Sequence, residues 1–310
     1  MRILVTGGAG FIGSHVVDAY VGAGHDVAVL DDLSTGHAEH VDSRARFHRV
    51  DLRDRGAVAA VLAGERPEVV SHHAAQMDVR RSVLDPVFDA QVNLIGFLNL
   101  LEEARGRGLR RVLFASSGGT VYGDAEELPT REEQPTEPLC PYGVAKLGTE
   151  RYLHYYARVH GIPYVALRYA NVYGPRQDPH GEAGVVAIFA RHLLRREQPT
   201  INGTGAQTRD YVFVGDVVRA NLLALECEYT GPINIGTGVE TDVNNLYGLL
   251  CDAIGYHPGE RHGPAKAGEQ MRSALDPRRA HAVLGWTPAM RLAEGLGRTV
   301  EWFRRRAAAV

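Results

Sequence analysis

The chain is poor in the residues that mark a stapled, metal-bound or membrane-embedded protein. Its three cysteines among 310 residues, Cys140, Cys227 and Cys251, are odd in number and widely spaced. They form neither a disulfide framework nor a zinc pattern, and they point to a reducing cytoplasm. A formal net charge of −3 leaves no broad electrostatic footprint for nucleic acid. No run approaches the ~18 apolar residues of a membrane span. The N-terminus is broken by glycines and lacks the apolar core and cleavage site of a secretory signal. There is no internal repeat and no low-complexity segment. The adjacent His72 and His73 have no second pair at ligand spacing, so no metal is expected. Hydrophobic residues at 45% and charged residues at 23% describe a soluble globular protein of one large domain or two modest ones.

Glycine is plentiful, and one cluster of it organises the chain. In RILVTGGAGFIGS, Ile3, Leu4 and Val5 read as a strand buried on both faces. Gly7, Gly10 and Gly13 follow at three-residue spacing, and Phe11 and Ile12 open a helical pattern through Val16, Val17 and Tyr20. A strand turning tightly into a helix aims free N–H groups and the positive helix end at one point, which suits a pyrophosphate. Side chains there would obstruct it. The next strand, Asp26–Leu30, runs into Asp31, an acid roughly 20 residues past the turn and so placed for adenosine ribose hydroxyls. Its charge favours NAD over the 2′-phosphate of NADP.

Further strands at Ala45–Val50, Glu68–Ser71, RRVLFASS and PYVALRY alternate with helices at Asp54–Gly64, Asp85–Arg105 and Pro141–His160. The alternation predicts an α/β fold with a doubly wound parallel sheet, whose ligands lie beyond the strands' carboxyl ends. Gly7–Gly13, Asp31, His73–Ala75, Ser116–Thr120 and Tyr169–Asn171 all fall there. Past Asn171 the pattern loosens into helices at Val185–Arg196, Gly215–Cys227, Asp242–Ile254 and Pro277–Leu284, with a last one from Leu292. Two short strands are expected in INGTGAQTRDYVFV and one at Pro232–Ile235. This reads as a nucleotide-binding domain, 1–170, followed by a smaller α+β substrate domain, 171–310. The chain returns to the first domain near 209–238.

Tyr142 and Lys146 are spaced i, i+4 and share a helix face. A free phenol, with a pKa near ~10, is a poor base at neutral pH. A neighbouring ammonium, together with the positive nicotinamide ring, would favour the phenolate and bring it into working range. Ser116 and Ser117 stand at a sheet edge between the glycine turn and this pair.

TGGAGFIG, VYG, PYGVAK, LRYANVYGP, TRDYVFVGD and INIGTG together resemble the extended short-chain dehydrogenase/reductase family and, within it, the UDP-glucose (UDP-galactose) 4-epimerases. The resemblance covers nearly the whole chain and implies a Rossmann-type sheet, a UDP-sugar substrate and epimerisation through a transient 4-keto sugar. By position it implies Tyr142 as acid and base and Lys146 as its partner. Gly7, Gly10, Phe11, Ile12, Asp31, Ser34, Asp51, Leu52, Ala74, Ala75, Asn93 and Ser116 would line the NAD site with that pair. Asn171, the helix start at Gly184 and Val185, Ile201 and Arg209 would hold the nucleotide sugar. Lys266, ahead of Gly268 and Glu269, stands where the family more often has an arginine for the diphosphate. The family's usual hydroxyl partner of the tyrosine falls at Gly118, so Thr120 or Ser117 must supply it, or a water does. Ser273 stands where epimerases limited to non-acetylated sugars carry tyrosine, which leaves room for an N-acetyl group.

A 4,6-dehydratase would need an Asp-Glu pair where this chain has Gly118, Gly119 and Thr120. A UDP-glucuronate 4-epimerase or decarboxylase is the alternative, with Arg80, Arg81 or Arg176 meeting the carboxylate. A non-catalytic NAD-binding sensor would have lost the Tyr/Lys pair. The helices at Asp85–Arg105 and Pro141–His160 resemble the family's homodimer interface.

Overall fold

The computed structural model describes residues 1–179, 184–265 and 270–308. Seven parallel strands form the central sheet. Across it they run Gly231–Ile235, Tyr164–Tyr169, Arg111–Ser117, Val69–His72, Arg2–Thr6, Asp26–Asp31 and Arg46–Arg49. This is the Rossmann-type α/β fold expected. Both faces are covered, so the inner strands are apolar along their length rather than alternating. Leu113 packs with Val16, Val17 and Val217 on one face. Val112 and Phe114 pack with Phe97, Leu153 and Tyr156 on the other.

A third core belongs to the later part of the chain, where Val186, Phe189 and Leu193 meet Leu246, Leu250 and Leu296. Three two-stranded ladders accompany it: Tyr211–Phe213 with Asn171–Tyr173, Thr241–Asp242 with Thr208–Arg209, and His262–Gly263 with Ile201–Asn202. The stretch expected to hold two strands therefore holds three. Two-residue strands carry too little alternation to be seen in sequence.

The helix expected over Asp85–Arg105 is in pieces. Asp85 ends one helix, Val79–Leu84, and caps the next, Pro86–Ala90, by accepting the Phe88 N–H. A π-helical turn at Gln91–Ile95 then leads into Gly96–Ala104. Periodicity does not reveal such a widened turn, because the apolar spacing on either side is unchanged. By contrast, Pro141–His160 is one helix, with Pro141 in its first turn and Gly161 ending it at φ 66°. Proline suits the first turn, where its missing N–H would find no helical partner, and glycine suits the left-handed end.

Candidate active site

The glycine turn is built by close approach. Gly7 lies at φ 67°, and a Cβ on it would stand 2.5 Å from the Ala74 nitrogen. A Cβ on Gly13 would stand 2.1 Å from the Gly7 carbonyl oxygen. No side chain fits at either place. The helix Phe11–Gly22 starts at Gly10 with no side-chain cap, which leaves its first N–H groups directed at the mouth of the turn. Phe11 packs toward the third core and Ile12 toward the first. Asp31, buried at the end of its strand, accepts the Ala9 N–H at 3.0 Å and the Leu33 N–H at 2.9 Å. It therefore ties the turn to the next strand, and burial pushes its pKa up. Ser34 donates its N–H to Asp32 at 2.8 Å. Asp51 is chelated by Arg53 at 2.6 Å, and Leu52 is buried beside it.

The fourth strand delivers His72 and His73 behind the turn. Thr6 Oγ1 and His72 Nδ1 lie 2.7 Å apart, and the His73 N–H donates to the Thr6 carbonyl at 3.0 Å. Burial, aided by Lys146, holds His72 well below the usual histidine range and His73 at about 3. Both rings stay neutral at physiological pH. Asn93, from the widened turn, accepts the Gln76 N–H and donates to the Gln76 carbonyl, both at 2.9 Å, and donates to Asp89 at 2.9 Å. Its amide thereby clamps the segment that follows Ala74 and Ala75.

Tyr142 and Lys146 sit at the start of Pro141–His160. Lys146 is buried, its Nζ donating to the Ala115 carbonyl at 2.8 Å and lying 5.6 Å from the Tyr142 ring centre. Burial lowers its pKa to about 8, with Asp89 and Glu150 opposing the fall. Burial pushes the Tyr142 pKa up, and the charges on Asp89 and then Cys140 push the same way. The protein's own groups hold a protonated phenol, and a further positive charge is needed to make it a base.

The three hydroxyls before VYG differ in what they do. Ser116 donates to Glu150 at 2.6 Å in the interior, where Glu150 pairs with Arg168 at 2.6 Å. Arg168 in turn donates to the Tyr122 hydroxyl at 2.8 Å. Ser116 is thus spent on the scaffold. Ser117 is half-buried and ends the strand. Thr120 Oγ1 is buried with no hydrogen-bond partner. It lies in a short helix, Gly118–Val121, that sequence patterning did not show.

On the substrate side, Asn171 lies in the short strand beside Tyr211–Phe213, its N–H donated to the Asp210 carbonyl at 2.9 Å. Gly184 starts the helix Val185–Leu194 without a side-chain cap. Ile201 is fully buried, Arg209 donates to the Thr208 carbonyl at 2.8 Å, and Ser273 is buried. Lys266 and Glu269 lie outside the described residues. Arg176 pairs with Asp18 at 2.8 Å, and Arg81 lies over the Phe88 ring at 4.1 Å. Both have structural partners of their own.

The family model described as the NAD dependent epimerase/dehydratase family matches residues 3–236. The chain belongs to that family. Like this epimerase/dehydratase chain is the UDP-glucose 4-epimerase of Mycolicibacterium smegmatis, 47% identical over 312 residues and covering 99% of each. A crystal structure of the Thermotoga maritima UDP-glucose 4-epimerase with UDP-glucose superposes with a TM-score of 0.97 at 48% identity, covering 99% of this chain and 100% of that one. The Thermus thermophilus UDP-glucose 4-epimerase in complex with NAD gives 0.93 at 45%, covering 98% and 99%. The family's cofactor is NAD, and the side-chain-free cradle at Gly7 and Gly13 fits a dinucleotide's pyrophosphate.

Sequence reasoning missed several buried groups. Glu150 continues the Tyr142, Lys146 spacing by four more residues, a signal that was there to be read. Asp89 is buried, accepting from Gln76 and Asn93 with one oxygen while the other has no partner. Asp210 joins TRDY to IGTG, accepting from the Thr237 N–H and hydroxyl, the Gly238 N–H and the Leu275 N–H.

Proposed function

We propose that this isomerase interconverts UDP-glucose and UDP-galactose by inverting C4. The observation that carries the reading is Tyr142 and Lys146 held at the carboxyl end of the sheet, two strands from the glycine cradle. NAD bound in the cradle supplies the hydride acceptor and donor. Gly7, Gly10, Phe11 and Ile12 hold its diphosphate, and Asp31 with Ser34 the adenosine ribose. Asp51, Leu52, Ala74, Ala75 and Asn93 line the rest, with Ser116 contributing backbone alone because its hydroxyl is held by Glu150.

Tyr142 takes the proton of the C4 hydroxyl and later returns it. Lys146 holds the nicotinamide ribose and stabilises the phenolate; the positive nicotinamide ring adds the charge that the protein lacks. Thr120 supplies the hydroxyl partner.

Inversion requires the 4-keto sugar to turn over while UDP stays fixed. Asn171, the uncapped helix start at Gly184 and Val185, Ile201, Arg209, Lys266 and Glu269 provide that grip. The small side chain of Ser273 leaves room for an N-acetyl group, so the N-acetylated pair belongs to the proposed substrate range. The proposal divides the chain into an NAD-binding part, 1–170 with the segment near 209–238, and a nucleotide-sugar part. It also includes a homodimer and a cytoplasmic location, the latter on the three unpaired cysteines.

Turnover of UDP-glucose, UDP-galactose, both N-acetyl analogues and UDP-glucuronate, with product stereochemistry assigned, tests the reading. Tyr142→Phe is expected to lower kcat by about 10²–10⁴-fold while UDP still binds. Undiminished kcat in that variant, or turnover confined to UDP-glucuronate, would overturn it.

A further inference from the structure

We propose that Leu275 decides which hydroxyl of the 117–120 turn meets the sugar, by filling the space of a side chain at residue 118. This deepens the epimerase reading and rests on it. A Cβ built on Gly118 would stand 2.3 Å from Leu275 Cδ1 and 2.9 Å from Cδ2. Carbon atoms pack at about 3.5–4.0 Å, so glycine is the residue that Leu275 permits there.

Leu275 is pinned in place. Its N–H donates to Asp210 Oδ2 at 3.2 Å. The Ala274 carbonyl before it accepts the Thr130 N–H at 2.8 Å, and the Asp276 N–H after it donates to the Thr130 carbonyl at 2.9 Å. Its side chain is 1% exposed, packed with Val121 and Tyr122 against Leu147 and Ala170. Gly236 backs it closely, since a Cβ there would stand 2.9 Å from Leu275 Cβ.

With residue 118 occluded, strand geometry selects among the remaining hydroxyls. Alternate residues of a strand face opposite sides. Val112, Phe114 and Ser116 face the helix that carries Tyr142, as the Ser116–Glu150 bond and the shared core show. Leu113 and Ala115 pack on the opposite face, and Ser117 follows their parity. Thr120 is different. A Cβ on Gly143, the residue after Tyr142, would stand 2.8 Å from the Thr120 carbonyl oxygen and 3.2 Å from Thr120 Cβ. Its Oγ1 is buried and unpartnered, and a buried hydroxyl retained without a partner calls for a ligand or a water to satisfy it. Gly118 and Leu275 thus act as a size-matched pair, a positioning device that passes the hydrogen bond to Thr120.

The experiment is a set of variants of the full chain, read by melting temperature, by kcat on UDP-glucose and by UDP affinity. Gly118→Ser alone should lower the melting temperature and cut kcat about tenfold or more through overpacking. Adding Leu275→Ala should restore much of both, so that the two substitutions are strongly non-additive. Thr120→Val should cost kcat roughly 10²-fold with UDP affinity kept, and Thr120→Ser should restore it. In the Gly118→Ser, Leu275→Ala background, Thr120→Val should cost several-fold less, because a second hydroxyl is then available.

Gly118→Ser alone matching the wild type, or additive effects of the pair, would overturn the role of Leu275 while the epimerase reading stands. Unchanged kcat in Thr120→Val would overturn the hydroxyl assignment. A wild-type chain that turns over no UDP-sugar would overturn the epimerase reading, and this proposal with it.

Discussion

His73 shows how burial turns a titratable residue into a structural one. Its Nε2 lies 2.9 Å from Ser71 Oγ, its Nδ1 is buried without a partner, and its pKa sits at about 3. The unfolded chain takes up that proton near pH ~6.5. Between these values the unfolded state binds more protons, so stability falls as pH drops from about 6.5 and levels off near 3. The contribution is up to ~1.4 kcal/mol per pH unit. Denaturant unfolding at several pH values checks this: His73→Gln should flatten the slope in that window. Parallel pH profiles for variant and wild type would refute it. The same desolvation lowers Lys146 and raises Tyr142. Spacing in a sequence reports that two groups are neighbours, but the depth at which they are buried depends on everything packed around them. For that reason the pair and its need for a positive charge beside it were legible, and the depth of its burial was not.

At the scale of elements, the features that could be read were those whose physics is local. A glycine turn between a strand and a helix needs only a dozen residues to declare itself, and so does an acid ending the next strand. The joints between distant segments declare nothing. Asp210 lies in a motif visible in the sequence, yet its task is to gather three N–H groups and a hydroxyl from two other segments. Gly236 owes its identity to the same carboxylate, since a Cβ there would stand 2.5 Å from Asp210 Oδ2. Asp210→Ala would leave those donors buried and unmet. Each such donor costs about 1–3 kcal/mol, so we expect a loss of at least about 3 kcal/mol in chemical denaturation. Sugar turnover should fall with it, because Leu275 loses its anchor. A variant as stable as the wild type would show that water satisfies those groups. The Leu275–Gly118 contact was illegible for the same reason: the two residues are distant in sequence, and the signature of their contact is a missing side chain.

For the whole molecule, the apolar surface left exposed calls for a partner. Leu84 is 85% exposed, Val87 66%, Val144 56% and Val159 60%, and Tyr152 and Tyr155 are also exposed. They belong to the helices Val79–Leu84, Pro86–Ala90 and Pro141–His160, which pack against one another. Exposed apolar side chains gathered on helices that pack together suit an interaction surface. A two-fold arrangement presents every residue of the patch twice, so one substitution is felt at two places. Burying a leucine or valine is worth about 1.5–3 kcal/mol, and a charge in its place adds the cost of desolvation. Leu84→Glu with Val159→Glu should therefore convert a species of twice the chain mass into one of single mass, as measured by light scattering at micromolar concentration. The helix Pro141–His160 carries both the proposed catalytic pair, Tyr142 and Lys146, and the exposed Val159. Dissociation is therefore expected to loosen the helix and lower kcat several-fold, with UDP affinity less affected because the proposed UDP grip lies largely on other elements. A wild type of single mass would refute the dimer, and a doubly charged variant that stays at twice the mass would place the contact elsewhere.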